Sequence, residues 1–422
     1  MALQQKMKVT RVVMAAGRNK DILNPVPRGQ MASGSWLLLG SFVVMTSLQS
    51  QGCGGAGWED TGSSPLPQET VAALIGDLGD EVVLPQLNLL LIDAEALSVS
   101  ISSLTDTLEA GSDSSEAKAI VQEGFVDLFL QWQQLEAMAL GPAASNSNSQ
   151  FGMGLRDEIY SWPTVNPCRV DQETVSEEWG SDDFFEARLV NAYGLDALEH
   201  LLFSSVDSVC PNQTNPIADG SWDALGEDGV ALNRAQFAEA ILNEIIDNGQ
   251  QMVELWESGQ AIDLTQSTSS EDVLNEVFHA LYYIETYAKD LKLFHPMGDY
   301  ECSSEFCTDD IEAQASGLAV EAICENIRGF SNLFAGGEGI GFDDLLVEMG
   351  AADLSIEISE QAASALSSCE AVTLPLEEAI LLQDVGLEEL SVDLSDLGHL
   401  VKSNLATELF LRLPSEAAGD ND

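Results

Sequence analysis

Residues 85–108, with the sequence PQLNLLLIDAEALSVSISSLTDTL, contain the clearest structural pattern in the chain. Apolar side chains recur there every three or four positions, at Leu87, Leu90, Leu91, Ala94, Leu97, Ile101 and Leu104. An α-helix has about 3.6 residues per turn, so this spacing places those side chains on one face. The segment is therefore predicted to be a long helix whose apolar face packs in a core.

The same helical spacing recurs along most of the chain. Six further stretches show it: about 116–140, 181–205, 233–257, 270–293, 310–334 and 395–411. Residues 335–394 have a weaker pattern that predicts shorter helices, and no stretch alternates in the manner of a β-strand. The chain is thus predicted to be all-α.

The predicted helices fall into two groups. Residues 211–230 are rich in Asn, Pro, Gly and Asp, which are typical of turns and connections. We interpret this segment as a linker between two helical bundles, residues 68–210 and residues 231–413. Residues 414–422 form a short acidic tail.

The charge of the chain limits its partners. It has 16 Lys and Arg against 70 Asp and Glu, and six of the basic residues but only one of the acidic ones precede Cys53. The 10 basic and 69 acidic residues after Cys53 give a net charge of −59. Such a surface repels nucleic acid, so no nucleic-acid partner is expected. The charge alone indicates solubility in a salty medium, because distributed carboxylates hold counterions without forming any one site.

Residues 1–53 have the features of an export signal. The apolar run from Trp36 to Met45 is too short to span a membrane, and Ser50-Gln51-Gly52-Cys53 follows it closely. This order predicts a lipoprotein signal peptide with Cys53 as the lipidated residue, although Ser50 stands where Leu is usual. An ordinary cleaved signal is the alternative.

Residues 54–67 begin with a glycine-rich stretch and are interpreted as a flexible tether. With a lipid at Cys53, the chain is expected in the cell envelope, anchored to the outer membrane and facing either the periplasm or the exterior.

Six cysteines follow Cys53: Cys168, Cys210, Cys302, Cys307, Cys324 and Cys369. An even number in an exported chain predicts disulfides, and the spacings lack the close paired pattern of zinc sites. Sequence alone permits many connectivities. Proximity along the chain favours Cys168–Cys210, Cys302–Cys307 and Cys324–Cys369.

Residues 191–203, with the sequence NAYGLDALEHLLF, set two carboxylates into an apolar helical run. Asp196 and Glu199 are three residues apart, so on a helix they project from the same face, as a pair of metal ligands would. The alternative is an amphipathic helix whose acids face water. His200 lies about 100° around the helix from Glu199 and is expected to be a surface or partly buried residue.

The pattern Gly194-x-Asp196-x-x-Glu199 resembles the Gly-x-His-x-x-Glu signature of the imelysin family. Other segments are similar to family landmarks and occur in family order: 83–87, 132–136 with 141–142, 161–163, 167–171, 283–285, 289–293, 296–298 and 400–422. The resemblance covers roughly residues 68–422. It implies a duplicated helical bundle in a bacterial cell-envelope protein tied to iron uptake, with peptidase activity in one founding case.

The resemblance also implies a ligand set. Family members carry an acid before a Gly-Pro pair, and Glu136 occupies that place, so it is expected as a third ligand beside Asp196 and Glu199. Oxygen ligands favour hard cations such as ferric iron, calcium or magnesium. Where the family has His this chain has Asp196, and a zinc peptidase usually needs two nitrogen ligands. Peptidase activity is therefore not expected.

The predicted function is that of an envelope lipoprotein that binds a metal ion, with iron as the candidate, in iron acquisition alongside other envelope metal-uptake proteins. Two alternatives remain at the level of sequence. One is a structural or interaction lipoprotein in which the signature helix serves only packing and no metal binds. The other is a metallopeptidase.

Overall fold

The helices of the computed structural model follow the apolar spacing of the sequence. The structure describes residues 66–144, 152–181, 183–266 and 269–414. The predicted signal peptide, Cys53, and most of the tether and of the acidic tail lie outside these residues.

The described chain is helical, and these ranges contain no β-strand. Its α-helices are α1 (Gln68–Asp77), α2 (Leu84–Glu109), α3 (Ser115–Glu136), α4 (Leu155–Ile159), α5 (Pro167–Ser176), α6 (Phe184–Ala187), α7 (Leu195–Phe203), α8 (Ser221–Glu257), α9 (Gln260–Gln266), α10 (Ser270–Leu281), α11 (His295–Met297), α12 (Ala319–Ala335), α13 (Phe342–Glu348), α14 (Ala352–Ala371), α15 (Leu376–Leu382), α16 (Val385–His399) and α17 (Ala406–Glu408). Wider π-helical segments lie at Leu78–Val83, Ile284–Phe294 and Leu400–Leu405. Short 3₁₀ turns lie at Gly141–Ala143, Glu178–Gly180, Val190–Ala192 and Thr308–Asp310. The all-α prediction is confirmed.

Helix α2 matches the predicted helix 85–108 and supplies one wall of the core. Six of its seven predicted core positions are buried: Leu87, Leu90, Ala94, Leu97, Ile101 and Leu104. Its inner face packs against α3 and α8. The continuous helical stretch 68–109 is long and apolar enough to cross a membrane by length and composition. Its buried face, however, is that of a helix packed in a protein core.

Helices from both predicted bundles pack together. Helix α12 contacts α3 on one side and α14 on the other, and α14 packs on α16. All described residues belong to one compact unit. The segment predicted as a linker has no regular helix between Pro211 and Gly220, and α8 begins at Ser221.

The three predicted disulfides are present. They join Cys168 to Cys210, Cys302 to Cys307 and Cys324 to Cys369. The first ties the start of α5 to the loop after α7, and the third ties α12 to α14.

Two predicted helices begin later than expected. The stretch 181–205 is broken: after the short α6 the chain is extended at Arg188 and Leu189, and α7 begins only at Leu195, after Gly194 with its left-handed φ of +97°. The stretch 310–334 is helical only from Ala319, because residues 311–318 form a turn in which Ala313 has φ +49°. Both departures fall at the interior site described next.

Candidate functional site

Gly194 places the start of α7 against the end of α4. A Cβ atom at this position would lie 3.0 Å from the carbonyl oxygen of Ile159, and the positive φ is one that other residues adopt with strain. The glycine of the signature is therefore required by backbone geometry. It brings α7 against Tyr160, so the acids of α7 enter the interior and do not face water.

A group of charged side chains meets in the interior at this point. We call it the interior cluster and define it as Glu136, Arg156, Asp196, Glu199, Lys292 and Glu312. These residues come from α3, α4, α7, the π-helical segment 284–294 and the turn before α12. Because a π-helix is wider than an α-helix and is often found at functional sites, the placement of Lys292 in such a segment agrees with a role at this centre.

Lys292 joins two carboxylates of the interior cluster, those of Glu136 and Glu312. Its side chain is 1 % exposed, and its Nζ lies 2.6 Å from Gln133 Oε1, 2.7 Å from Glu136 Oε2 and 2.9 Å from Glu312 Oε1. A buried ammonium needs such acceptors, because burial without them removes the hydration of the charge. The ring of Trp162 covers Lys292, with its centroid 5.8 Å from Nζ.

Glu136 has both carboxylate oxygens occupied. Arg156 donates to Oε1 at 2.5 Å, and Lys292 donates to Oε2. Burial by itself raises the pKa of Glu136, but the positive charges of Lys292 and Arg156 outweigh it, so the pKa of this carboxyl is lowered. Glu136 is therefore ionised and carries the negative charge that balances part of the positive charge of the cluster.

Glu312 shares Lys292 with Glu136 and accepts a hydrogen bond from the hydroxyl of Tyr160. Its Oε2 is buried and has no hydrogen-bond partner. Burial raises the pKa of Glu312, Lys292 opposes the shift, and the nearby charge of Glu136 adds to it. Burial and the neighbouring acids also raise the pKa of Tyr160, so its phenol stays protonated and donates.

Asp196 has no partner for its carboxylate. Some of the residue is exposed, but both carboxylate oxygens are buried, and neither accepts a hydrogen bond from another residue of the described structure. Burial, with the charges of Glu312, Glu199 and Glu136, raises the pKa of Asp196 well above its usual value. A carboxyl in this position takes up a proton unless a cation reaches it.

Glu199 lies one turn further along α7 and is held by the turn before α12. The backbone N–H and the hydroxyl of Ser316 both donate to its Oε1 at 2.7 Å. Burial raises the pKa of Glu199, and these two hydrogen bonds only partly oppose the shift. The left-handed Ala313 shapes this turn and so helps to position both Glu312 and Ser316.

The structure thus brings all three predicted ligands, Asp196, Glu199 and Glu136, to one interior cluster. Their carboxylate oxygens do not all lie within 4.8 Å of one another. Of the residues that the structure describes, only His295, Cys307 and Asp310 meet that distance, and Cys307 is in a disulfide. The interior cluster also contains three residues that were not predicted for the site, namely Arg156, Lys292 and Glu312, and Tyr160 donates to Glu312 from beside it.

His200 faces away from the cluster, as its angle around the helix predicts, but it is buried, where a surface or partly buried residue was expected. Its Nε2 lies 2.9 Å from Asp171 Oδ1, and its Nδ1 lies 2.9 Å from the hydroxyl of Ser204. Asp171 also accepts from Ser208 and from the backbone N–H of Val209. Both ring nitrogens are engaged, so His200 ties α5, α7 and the loop after α7 together.

Comparison with known proteins places the chain in a family. The family model described as imelysin matches residues 83–396. The chain belongs to the imelysin family. The match covers the signature and every member of the interior cluster, so in this imelysin the cluster lies within the part of the chain that the family defines. No curated protein matches the chain.

Two solved structures share the fold. One is described as an iron-regulated protein A precursor from Parabacteroides distasonis, with 15 % identity, a TM-score of 0.61, and coverage of 83 % of this chain and 97 % of that chain. The other is an imelysin-like protein from Psychrobacter arcticum, with 16 % identity, a TM-score of 0.60, and coverage of 83 % and 98 %. At this identity the similarity shows the helical fold alone, which is shared over most of this chain and nearly the full length of each neighbour.

Proposed function

We propose that this imelysin is an exported cell-envelope protein that binds a hard metal ion at the interior cluster and serves iron acquisition. The observation that carries the proposal is the unsatisfied negative charge of the cluster. Asp196 has two buried carboxylate oxygens without partners, and Glu312 has one. Buried carboxylates normally have hydrogen bonds or a cation, so these oxygens indicate a ligand.

Charge counting supports a divalent ion. The interior cluster contains four carboxyl groups and two permanent cations, so full ionisation leaves two negative charges in the interior. Burial makes this arrangement costly, and the raised pKa values of Asp196, Glu199 and Glu312 mean that protons neutralise it when no metal is present. A divalent cation supplies the same two positive charges.

The donor set suits a hard cation. Asp196, Glu199 and Glu312 offer carboxylate oxygens, and oxygen ligands favour iron, calcium or magnesium over zinc. Glu136, with both oxygens held by Arg156 and Lys292, acts in this proposal as the counterion of those cations. The proposed ligands are therefore Asp196, Glu199 and Glu312, so Glu312 replaces Glu136 as the third ligand of the set expected from the sequence.

The second candidate function is the structural one, and Lys292 is the observation that favours it. Its ammonium already lies between Glu136 and Glu312, where a metal ion would otherwise join them. In that case protons on Asp196 and Glu199 complete the balance of charge, and the cluster serves only to join α3, α7 and α12.

The location is also part of the proposal. The structural neighbour described as an iron-regulated protein A precursor supports export and a link to iron. Lipidation of Cys53, attachment to the outer membrane and contact with other envelope metal-uptake proteins rest on the sequence and remain proposals. A metallopeptidase gains no support, because both nitrogens of His200 are engaged outside the interior cluster.

The decisive experiment compares Asp196→Asn with Glu199→Gln, made together, against a matched control. Glu357→Gln with Glu360→Gln removes two charges at the same spacing from the exposed face of α14. Protein purified without chelator from iron-replete cells is washed in about 0.5 M salt, where diffuse attraction to the acidic surface is screened. Metal content is then measured, and the fold is checked by circular dichroism.

Wild type and the control are expected to retain one tightly bound ion per chain. The double variant of Asp196 and Glu199 should bind the ion more than about 100-fold less tightly, since two residues that contact the ion directly lose their charge. Binding to metal-free wild type should release about two protons at neutral pH, measured by titration in buffers of different ionisation enthalpy. Retention of the ion by the double variant would refute this site. A wild type without any ion would favour the structural function.

A further inference from the structure

A pocket lies at the C-terminal end of α7, apart from the interior cluster. It is enclosed by α2, α3, the end of α7 and α8, and it has a volume of about 110 Å³. Its walls are mostly apolar: Leu104, Leu108, Leu201, Leu202, Val230 and Ala231 contribute to them. The pocket shares no residue with the interior cluster, so its ligand is a separate question from the proposed metal site.

The charged residues that line this pocket are both basic, which is unusual in so acidic a chain. Only 10 Lys and Arg follow Cys53, against 69 Asp and Glu, and two of them, Lys118 and Arg234, line this one pocket. Of these 10 basic residues, Lys118 alone has no carboxylate within 4.0 Å among the described residues. Each of the other nine, Arg234 included, has one. The charge of Lys118 is therefore free for an anion that enters the pocket.

Arg234 supplies a second, buried donor. Its terminal nitrogens are engaged, one with the carbonyl of Ser205 at 2.6 Å and the other with Asp171 at 3.4 Å. Its Nε is buried and has no acceptor in the described structure. The guanidinium is held in place on the ring of Trp222, with the ring centroid 5.4 Å away. A fixed guanidinium that lines an apolar pocket is suited to a carboxylate there.

We propose that this pocket binds a free alkyl carboxylate of about four to six carbons, with its tail between α2 and α8 and its carboxylate at Lys118 and Arg234. The size follows from the volume, since an apolar cavity of roughly 150 Å³ in another protein holds benzene. The sign of the charge follows from the two basic residues. The acidic surface repels anions, so an anion that binds the protein is not held by non-specific attraction to that surface.

The test begins with a ligand series on the wild-type protein, which needs no substitution. Butanoate, pentanoate and hexanoate are titrated by calorimetry or ligand-observed NMR, with 1-hexanol as the uncharged partner of hexanoate. Each added methylene should tighten binding about fourfold until the pocket is full. Hexanoate should bind at least threefold more tightly than hexanol. Equal affinity for hexanoate and hexanol would overturn the assignment of the charged end.

Two variants then locate the site. Lys118→Gln should weaken hexanoate about threefold or more and leave hexanol unchanged. Ala231→Leu fills the pocket and should abolish the gain from the longer chains. Ala119→Leu makes the same enlargement on an exposed position of α3 and should change nothing. Circular dichroism confirms the fold of each. Unchanged hexanoate binding in both pocket variants would overturn the proposal. N-acetyl-leucine represents a peptide C terminus, and 4-methylpentanoate is the free acid with the same branched tail. Tighter binding of N-acetyl-leucine than of 4-methylpentanoate would also overturn the proposal, in favour of a peptide C terminus.

Discussion

Replacing Lys292 with Met tests whether the buried ammonium holds the interior cluster together. Met keeps most of the length and volume of the side chain and removes the charge, so Glu136 keeps only Arg156 and Glu312 keeps only neutral donors. Loss of one partner from a buried ion pair costs about 3–5 kcal/mol, because a charge is left without compensation. In a chain of this size roughly 1–2 °C is lost per kcal/mol, so the melting temperature should fall by about 3–10 °C.

The loss should depend on pH in a defined direction. Without Lys292 the pKa of Glu136 loses the main charge that lowers it and rises, and the already raised pKa of Glu312 rises further, so the folded variant holds protons that the unfolded chain releases. Its stability therefore falls as pH rises through the ordinary range of glutamic acid, about 4.3, and beyond. The difference from wild type should be small near pH 4.5 and complete at pH 8.

The assay is thermal and denaturant unfolding followed by circular dichroism, in chelator and about 0.5 M salt. Lys118→Met is the matched control, because Lys118 is exposed and has no carboxylate partner among the described residues. It should change stability by less than about 0.5 kcal/mol. Adding Glu312→Gln to Lys292→Met should recover at least about 1 kcal/mol at pH 8, since it removes the uncompensated charge. A loss below about 1 kcal/mol at pH 8, or one that neither pH nor Glu312→Gln alters, would refute the reasoning.

The remaining predictions concern export. Cys53→Ser should move the protein from the membrane fraction to the soluble fraction, because two acyl chains anchor stably whereas a single chain is marginal; a variant that still sediments, with no lipid seen by mass spectrometry in the wild type, would contradict lipidation. Mass mapping without reductant should find no free thiol among the six cysteines after Cys53, as an oxidising compartment requires. A stoichiometric free thiol at Cys168 or Cys324 would contradict both the pairing and export.

The sequence predicts long helices well and their starts less well. Helix α2 is recovered to within one residue at each end, because its apolar face repeats without interruption. The same spacing in residues 181–205 was misleading, since it cannot report that Gly194 has a left-handed φ and approaches Ile159. Ile120 shows a further limit. It fits the apolar pattern of α3, yet it is 51 % exposed, and its neighbour Val121 is buried in its place.

The candidate site was predicted in part, for a physical reason. Asp196 and Glu199 share one helix, so local spacing reveals that they lie together. Lys292 and Glu312 are 156 and 176 positions from Glu136 along the chain, and only the packing of the helices brings them to it. One signal was available, because a chain with 10 basic residues after Cys53 has few cations to place in its interior. The need of buried carboxylates for a cation, and not the spacing of residues along the chain, was the signal that pointed to a residue such as Lys292.

Charge balance also bears on the valence of the proposed ion. A divalent cation neutralises the interior cluster once Asp196, Glu199 and Glu312 have released the protons that their raised pKa values retain. A trivalent cation leaves one positive charge in excess, and a buried excess charge is costly whichever sign it has. Tyr160 is a group that could compensate, since its hydroxyl already donates to Glu312. A trivalent ion would lower the pKa of this phenol, which burial and the surrounding acids now raise. Binding of ferric iron should therefore release one proton more than binding of a divalent ion, so the same proton count that tests the site also distinguishes the two oxidation states.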